Sequence, residues 1–191
     1  MSEIIKKNFH ENLEVSKVSI GDLLSQIELA TQKVINMIDG SGKLLSCGNG
    51  GSSGDAQHIA SELVNRFEKE RKEVAAVSLS SDTATITSIA NDYEYKYIFS
   101  KQINAIGKKG DLLVAFTTSG NSENICEAIH SAQKIEIPII LITGKDGGSA
   151  SKLLSTGDIE IRVPSNRTSR IQEIHLVIIH SICECVDSHL C

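Results

Sequence analysis

Five short apolar runs, separated by stretches of helical period, constrain this chain more than any other feature. They are residues 43–47 (KLLSC), 74–79, 111–116 (DLLVAF), 137–142 (IPIILI) and 159–163 (IEIRV). Helical spacing fills 52–68, 82–106 (as two pieces), 121–135 and 168–188. Strands that alternate with helices form βαβ units, and such units build a parallel sheet. Runs such as LLVAF are apolar on both faces, as a sheet covered by helices requires. The expectation is an α/β fold, a five-stranded parallel sheet flanked by helices. Residues 1–40 add Ile4, Ile5, Phe9, Val15, Val18, Leu23, Leu24, Ile27, Val34, Ile35 and Ile38 at helical spacing. They predict one or two amphipathic helices, stopped by Gly40-Ser41-Gly42. No repeat, low-complexity tract or linker divides the 191 residues, so they read as one domain, with a helical part at 1–40 and an α/β core at 43–191.

Composition excludes several functions. Net charge is −5 and no basic stripe is present, against a general nucleic-acid binder. Aromatics are only 4% and Trp is absent, so no base-stacking platform is available. The cluster Lys69-Glu70-Arg71-Lys72 reads as a solvated surface turn. The five cysteines are odd in number and contain no CxxC, which predicts reduced thiols in a cytoplasmic protein. Cys183 and Cys185 fall on opposite sides of a helix. The N-terminus lacks an apolar signal core, and no run of about 18 apolar residues occurs. The expectation is no membrane partner. An anionic small molecule remains allowed, because oriented backbone N–H groups bind phosphate whatever the net charge.

Two loops suggest such a ligand. The first run leads into Cys47-Gly48-Asn49-Gly50-Gly51-Ser52-Ser53-Gly54-Asp55, the third into Thr117-Thr118-Ser119-Gly120-Asn121-Ser122-Glu123-Asn124. Both lie at the carboxyl end of a strand and open a helix, which is where open parallel sheets bind ligands. Glycine permits close backbone approach, and hydroxyls of Ser52, Thr117, Ser119 and Ser122 can donate to phosphate oxygens. A single loop of this kind is as well explained by turns and N-caps; two at one sheet edge favour a ligand. Neither GxxxxGK[ST] nor a clean GxGxxG is present, so this is not a nucleotide signature.

After the first loop, His58, Glu62 and Arg66 recur every four residues and share one helix face. Taken alone, that is an ordinary solvated face; beside a phosphate loop it makes an active-site wall. The last helix carries Gln172 and His180 eight residues apart, with His180 expected to be buried among Leu176, Val177, Ile178, Ile179 and Ile182. A lone buried histidine is more often structural than catalytic. Glu173 and His175 form a competing pair on the same helix. His10, His130 and His189 read as surface positions.

These segments, CGNGGSSGDAQHIASEL, AND, TTSGNSENI, LITGKDGG and RIQEIHLVIIH, resemble in order the phosphoheptose isomerases of the SIS (sugar isomerase) family. The likeness is collinear from about residue 43 to the C-terminus; the N-terminal helices fit in length more than in motif. It implies a single SIS domain with a flavodoxin-like three-layer sandwich. It implies isomerisation of D-sedoheptulose 7-phosphate to D-glycero-D-manno-heptose 7-phosphate, the entry to ADP- or GDP-heptose for lipopolysaccharide or capsule. Phosphate would be held by Ser52, Thr117, Ser119 and Ser122, with Thr118 beside them. Asn49, Gly50, Gly51, Asn91, Asp92 and Gln172 would line the sugar site, joined by His58 and Arg66. His58, Glu62, Gln172 and His180 match the positions that hold a zinc ion in family members, one per subunit. Homotetramers with sites at subunit interfaces are implied, using the helical part at 1–40. Ser169 stands where some members have Asp, so an acidic contribution there is lost; Thr117 replaces Ser in some and keeps the hydroxyl.

The chemistry of the residues agrees. Ketose-to-aldose conversion moves a proton between C1 and C2 through an enediol, with no redox cofactor. A carboxylate such as Glu62 suits the base, and His180 suits the shuttle between the two oxygens. Arg66 would hold Glu62 or stabilise a developing oxyanion. If Glu62 and His180 ligate zinc, their lone pairs are engaged; a ligand exchanging in turnover, or a structural or inhibitory ion, both resolve this. The rival class is a non-catalytic SIS module that binds a replication initiator or senses sugar phosphate. The joint presence of His58, Glu62, Gln172 and His180 favours the enzyme.

Overall fold

The computed structural model describes residues 1–191. In chain order the elements are α1 (Ser2–Asp39), β1 (Leu44–Gly48), α2 (Gly51–Val64), β2 (Ala76–Ser78), α3 (Thr83–Asp92), a 3-10 turn (Tyr95–Tyr97), α4 (Ser100–Ile106), β3 (Leu112–Thr117), α5 (Glu123–Lys134), β4 (Ile139–Gly144), α6 (Gly148–Ser151), β5 (Ile159–Val163) and α7 (Thr168–Leu190). The sheet is five-stranded and parallel throughout, in the order β2-β1-β3-β4-β5. This is the flavodoxin-like order, in which the winding reverses between β1 and β3.

Strand alternation divides the core into two layers. Leu44, Leu112, Val114, Phe116, Ile140 and Ile142 pack with Ile59 and Leu63 of α2 and the Ile174–Ile178–Ile182 stripe of α7. Leu45, Leu113, Ala115, Ile139 and Leu141 point the other way, onto Ile98, Ile103, Ile125 and Ile129. β1, β3 and β4 are buried along their whole length, so their sequences show no polar face. Asp82 caps α3 by accepting hydrogen bonds from the backbone N–H of Ala84 (3.0 Å) and Thr85 (3.2 Å), which fixes where that helix starts; it ends at Asn91 and Asp92.

Several expectations change. Of the one or two N-terminal helices expected, the segment forms one, of 38 residues, with no proline to interrupt it. The second strand shrinks to three residues at the sheet edge, with Val77 exposed. The Lys69–Lys72 cluster is not a solvated turn. Arg71 turns inward, and its side chain is 0% exposed against Asp187 at 1%. His180 is half-buried, and the fully buried histidine is His175. The reason is helical phase. The buried stripe of α7 runs through Ile171, Ile174, His175, Ile178, Ile179, Ile182, Cys183 and Val186, which leaves Leu176 and Val177 exposed and His180 on the stripe's margin.

Candidate active site

The loops after β1 and β3 leave the sheet toward opposite layers, since α2 joins one core cluster and α5 the other. A crevice opens between them at the carboxyl edge, at the switch point. It holds a cavity of about 280 Å³. Asn49, Gly51 and Ser52 supply one wall, Thr117, Thr118, Ser119 and Ser122 a second, and Thr168 and Gln172 of α7 a third. No charged side chain lines it. The starts of α2, α5 and α7 all meet at this cavity, so three partial positive charges lie beside the same space; at α2 the Ser52 and Ser53 N–H groups are engaged with Asn49 O and Gly50 O, while the first N–H groups of α5 and α7 have no backbone partner. That is an anion site built from backbone and hydroxyls.

Each wall has a local cause. Gly51 lacks a side chain where one would collide with Gln172, whose Nε2 would lie 2.3 Å from an added Cβ. Glycine there lets the Gln172 amide rest directly on the start of α2. In the second wall the Gly120 N–H donates to Thr117 Oγ1 at 3.2 Å, and Thr117 Oγ1 lies 3.4 Å from Ser122 Oγ. Asn49 is held by a reciprocal amide pair with buried Asn124, both bonds 2.8 Å, and accepts a third from Tyr95 Oη at 3.1 Å. Tyr95 and Thr168 were not singled out by sequence, and Asn124 was given no role of its own. Asn124 lies inside the second motif, so its position was the available signal.

A second cluster lies further along α2. His58 Nε2 donates to Glu62 Oε1 at 3.0 Å, and both are half-buried. The His180 ring centroid is 5.1 Å from that of His58 and 5.4 Å from that of Phe67. So α2 and α7 bring His58, Glu62 and His180 together, as their spacing suggested. Cys183 sits close by. Burial first, and the Glu62 charge second, push its thiol up to about 12, so it stays protonated. All five cysteines are free.

The other candidates fall elsewhere. α2 ends at Val64, so Arg66 is not on its face; Arg66 pairs with Glu70 at 3.2 Å and donates to Glu68 O, and it does not hold Glu62 within this chain. Asn91 and Asp92 are exposed at the end of α3, with the Asn91 amide donating to Asp92, and they do not line the cavity; nor does Gly50, which turns the loop at φ 55. The competing pair is structural. His175 is locked in the core with Nε2 at 3.0 Å from Thr143 O, while Glu173 accepts from Asn12 of α1 at 2.7 Å and pairs with Arg170.

The imidazole, carboxylate and amide donors of His58, Glu62, Gln172 and His180 are of types that suit zinc. Their arrangement within one chain is not a formed cage. His58 is bonded to Glu62, Gln172 turns to the cavity, and no group of three or more His, Cys, Asp or Glu side chains is disposed to hold a metal ion. No helix is long and apolar enough to cross a membrane.

Residues 9–144 match the SIS domain family. The phosphoheptose isomerase of Colwellia psychrerythraea is 53% identical over 191 residues, covering 100% of this chain and 97% of that protein. That of Alteromonas mediterranea is 51% identical, covering 100% and 96%. The structure of phosphoheptose isomerase GmhA from Neisseria gonorrhoeae superposes with a TM-score of 0.94 at 40% identity, covering 98% of each chain.

Proposed function

The chain belongs to the SIS domain family and, within it, to the phosphoheptose isomerases, and from that premise we propose that it converts D-sedoheptulose 7-phosphate to D-glycero-D-manno-heptose 7-phosphate. The observation that carries this is the pairing of two sites in one chain. A charge-free cavity at three helix starts suits the phosphate, and a carboxylate–imidazole cluster suits the isomerisation.

The phosphate sits among Ser52, Thr117, Ser119 and Ser122, and Asn49 and Gln172 orient the sugar hydroxyls. The Glu62 carboxylate takes the proton from C1, giving an enediol, and returns it at C2. The His180 imidazole, which carries both a donor and an acceptor, moves the proton between O1 and O2. His58 orients Glu62 by donating to one oxygen and leaving the other free. Zinc is a further part of the proposal. Bound by His58, Glu62, Gln172 and His180, it would supply Lewis acidity at the sugar oxygens.

A homotetramer is also proposed. Ile4, Ile5, Phe9, Ile20 and Leu24 of α1 and Val177 of α7 are exposed. An apolar groove of about 590 Å³ runs between the two helices. Such a face is normally covered. Assembly would let Arg66, Asn91 and Asp92, all remote from their own chain's cavity, serve a neighbour's site. A cytoplasmic setting, with product passing to nucleotide-activated heptose for lipopolysaccharide or capsule, completes the reading.

The test is incubation of purified protein with sedoheptulose 7-phosphate, followed by NMR. Growth of the aldose signals is the expected result; no turnover with or without added zinc would leave a binding module instead. Ser52→Ala should raise KM about 10- to 100-fold with a smaller change in kcat, because a hydrogen bond to a charged group is worth about 1.5–3 kcal/mol. Ser53→Ala, whose exposed hydroxyl donates only to Gly50 O, should leave both constants near wild type.

A further inference from the structure

Helix α2 ends at Val64 without glycine, and Asn65 follows at φ −90 and ψ −95. The last carbonyls of a helix need partners from outside it. Arg71 supplies them. Its Nη2 donates to Glu62 O at 2.7 Å and its Nη1 to Leu63 O at 3.0 Å, with a further bond to Lys72 O at 3.0 Å. A guanidinium is well suited to the negative end of a helix dipole. This one is fully buried and needs a counter-charge.

Asp187 of α7 provides it. Asp187 Oδ1 accepts from Arg71 Nε at 2.8 Å. Its other oxygen accepts from the backbone N–H of Glu68 and of Lys69, both at 2.8 Å. Burial pushes this carboxyl up, but the bonds from Lys69, Arg71 and Glu68 more than offset it and hold the group below the usual carboxylate range. One carboxylate therefore folds the 65–71 segment and neutralises the cation that caps α2.

The position of this pair matters. The carbonyl it holds belongs to Glu62 itself. The N–H groups it holds follow Phe67, whose ring lies against His180. Asp187 is seven residues beyond His180, two turns along the same side of α7. We propose that Arg71 and Asp187 are positioning residues that set Glu62 and Phe67 against His180 by locking the end of α2 to α7. This rests on reading Glu62 and His180 as the reacting pair, and it extends that reading by naming what fixes their separation.

Asp187→Asn keeps the shape and removes the charge. It should lower kcat about 10- to 100-fold, the scale of a displacement near 1 Å, with KM within about twofold because the phosphate cavity is built elsewhere. Asp187→Glu, which restores the carboxylate, should recover most of that kcat. A second readout does not depend on turnover. In the NMR spectrum of the full-length protein, the His180 ring protons feel the Phe67 ring, and Asp187→Asn should move them toward their position in Phe67→Leu. If Asp187→Asn does not fold, Arg71→Lys is read the same way, since lysine keeps the charge and gives up the fork. A folded variant with unchanged kcat, or a kcat loss with His180 signals unmoved, would overturn the proposal. Should the wild type not turn over the heptose phosphate, the isomerase reading fails by itself, and the His180 signals still decide whether the clamp exists.

Discussion

Glu62→Gln is expected to lower kcat for heptose phosphate isomerisation about 1,000-fold and to leave KM nearly unchanged, within the range usually contributed by a positioned general base. The substitution is close to isosteric. The Gln carbonyl can still accept from His58 Nε2, so the hydrogen bond that orients the side chain survives. What is lost is the ability to take a proton from carbon. Because Glu62 does not line the phosphate cavity, the effect should fall on kcat and spare binding. Reaction in heavy water gives a direct check. Wild-type product should carry deuterium at C2, and Glu62→Gln should form that labelled product at a rate lower by the same factor of about 1,000. A fall of less than about tenfold would move the base to another group, because loss of a positioned general base normally costs about 100-fold or more. Thermal stability should stay close to wild type, as for most substitutions outside the core.

Much of this arrangement could be read from the chain because local and tertiary preferences coincide there. Leu112–Thr117 and Ile139–Gly144 are buried on both faces, so burial and β propensity select the same residues. The two loops were legible because close backbone contact demands glycine. Gly51 lies under Gln172 and Gly120 lies against Gly147. What was illegible depends on partners distant in sequence. Arg71 is surrounded by charged neighbours and reads as surface; only Asp187, 116 residues away, draws it inside. The end of α2 carries neither glycine nor proline, so in the sequence the i, i+4 series runs on through Arg66. On α7, apolar residues surround both His175 and His180, and the roughly 140° of helical phase between them decides which is buried. The Thr143 carbonyl that receives His175 could not be anticipated from α7 alone.

Gly120→Ala should be the most damaging single methyl group in the chain, costing about 4 kcal/mol and lowering Tm by about 8–16 °C. Two costs add. Gly120 has φ +68, a left-handed conformation that an L side chain adopts at a cost of roughly 1–2 kcal/mol. The new Cβ would also stand 1.9 Å from Gly147 O and 2.8 Å from Gly148 N, both backbone atoms with no rotamer through which to retreat. The loop after β3 and the segment after β4 are otherwise tied together, since Ala150 N–H donates to Gly120 O at 2.8 Å and Ser149 N–H to Asn121 Oδ1 at 3.0 Å. Relief would therefore have to move the second wall of the cavity, and Ser119 and Ser122 with it. Any folded fraction should show a raised KM as well as a lower melting point. Gly54→Ala is the matched comparison. That glycine lies within α2, and its added Cβ meets nothing within 4 Å. The same methyl group should there stabilise the helix by up to about 1 kcal/mol, so the two variants should melt on opposite sides of the wild type. A Gly120→Ala protein that melts with the wild type would show that the loops slide past one another freely. The rigid second wall assigned to the phosphate site would then not exist.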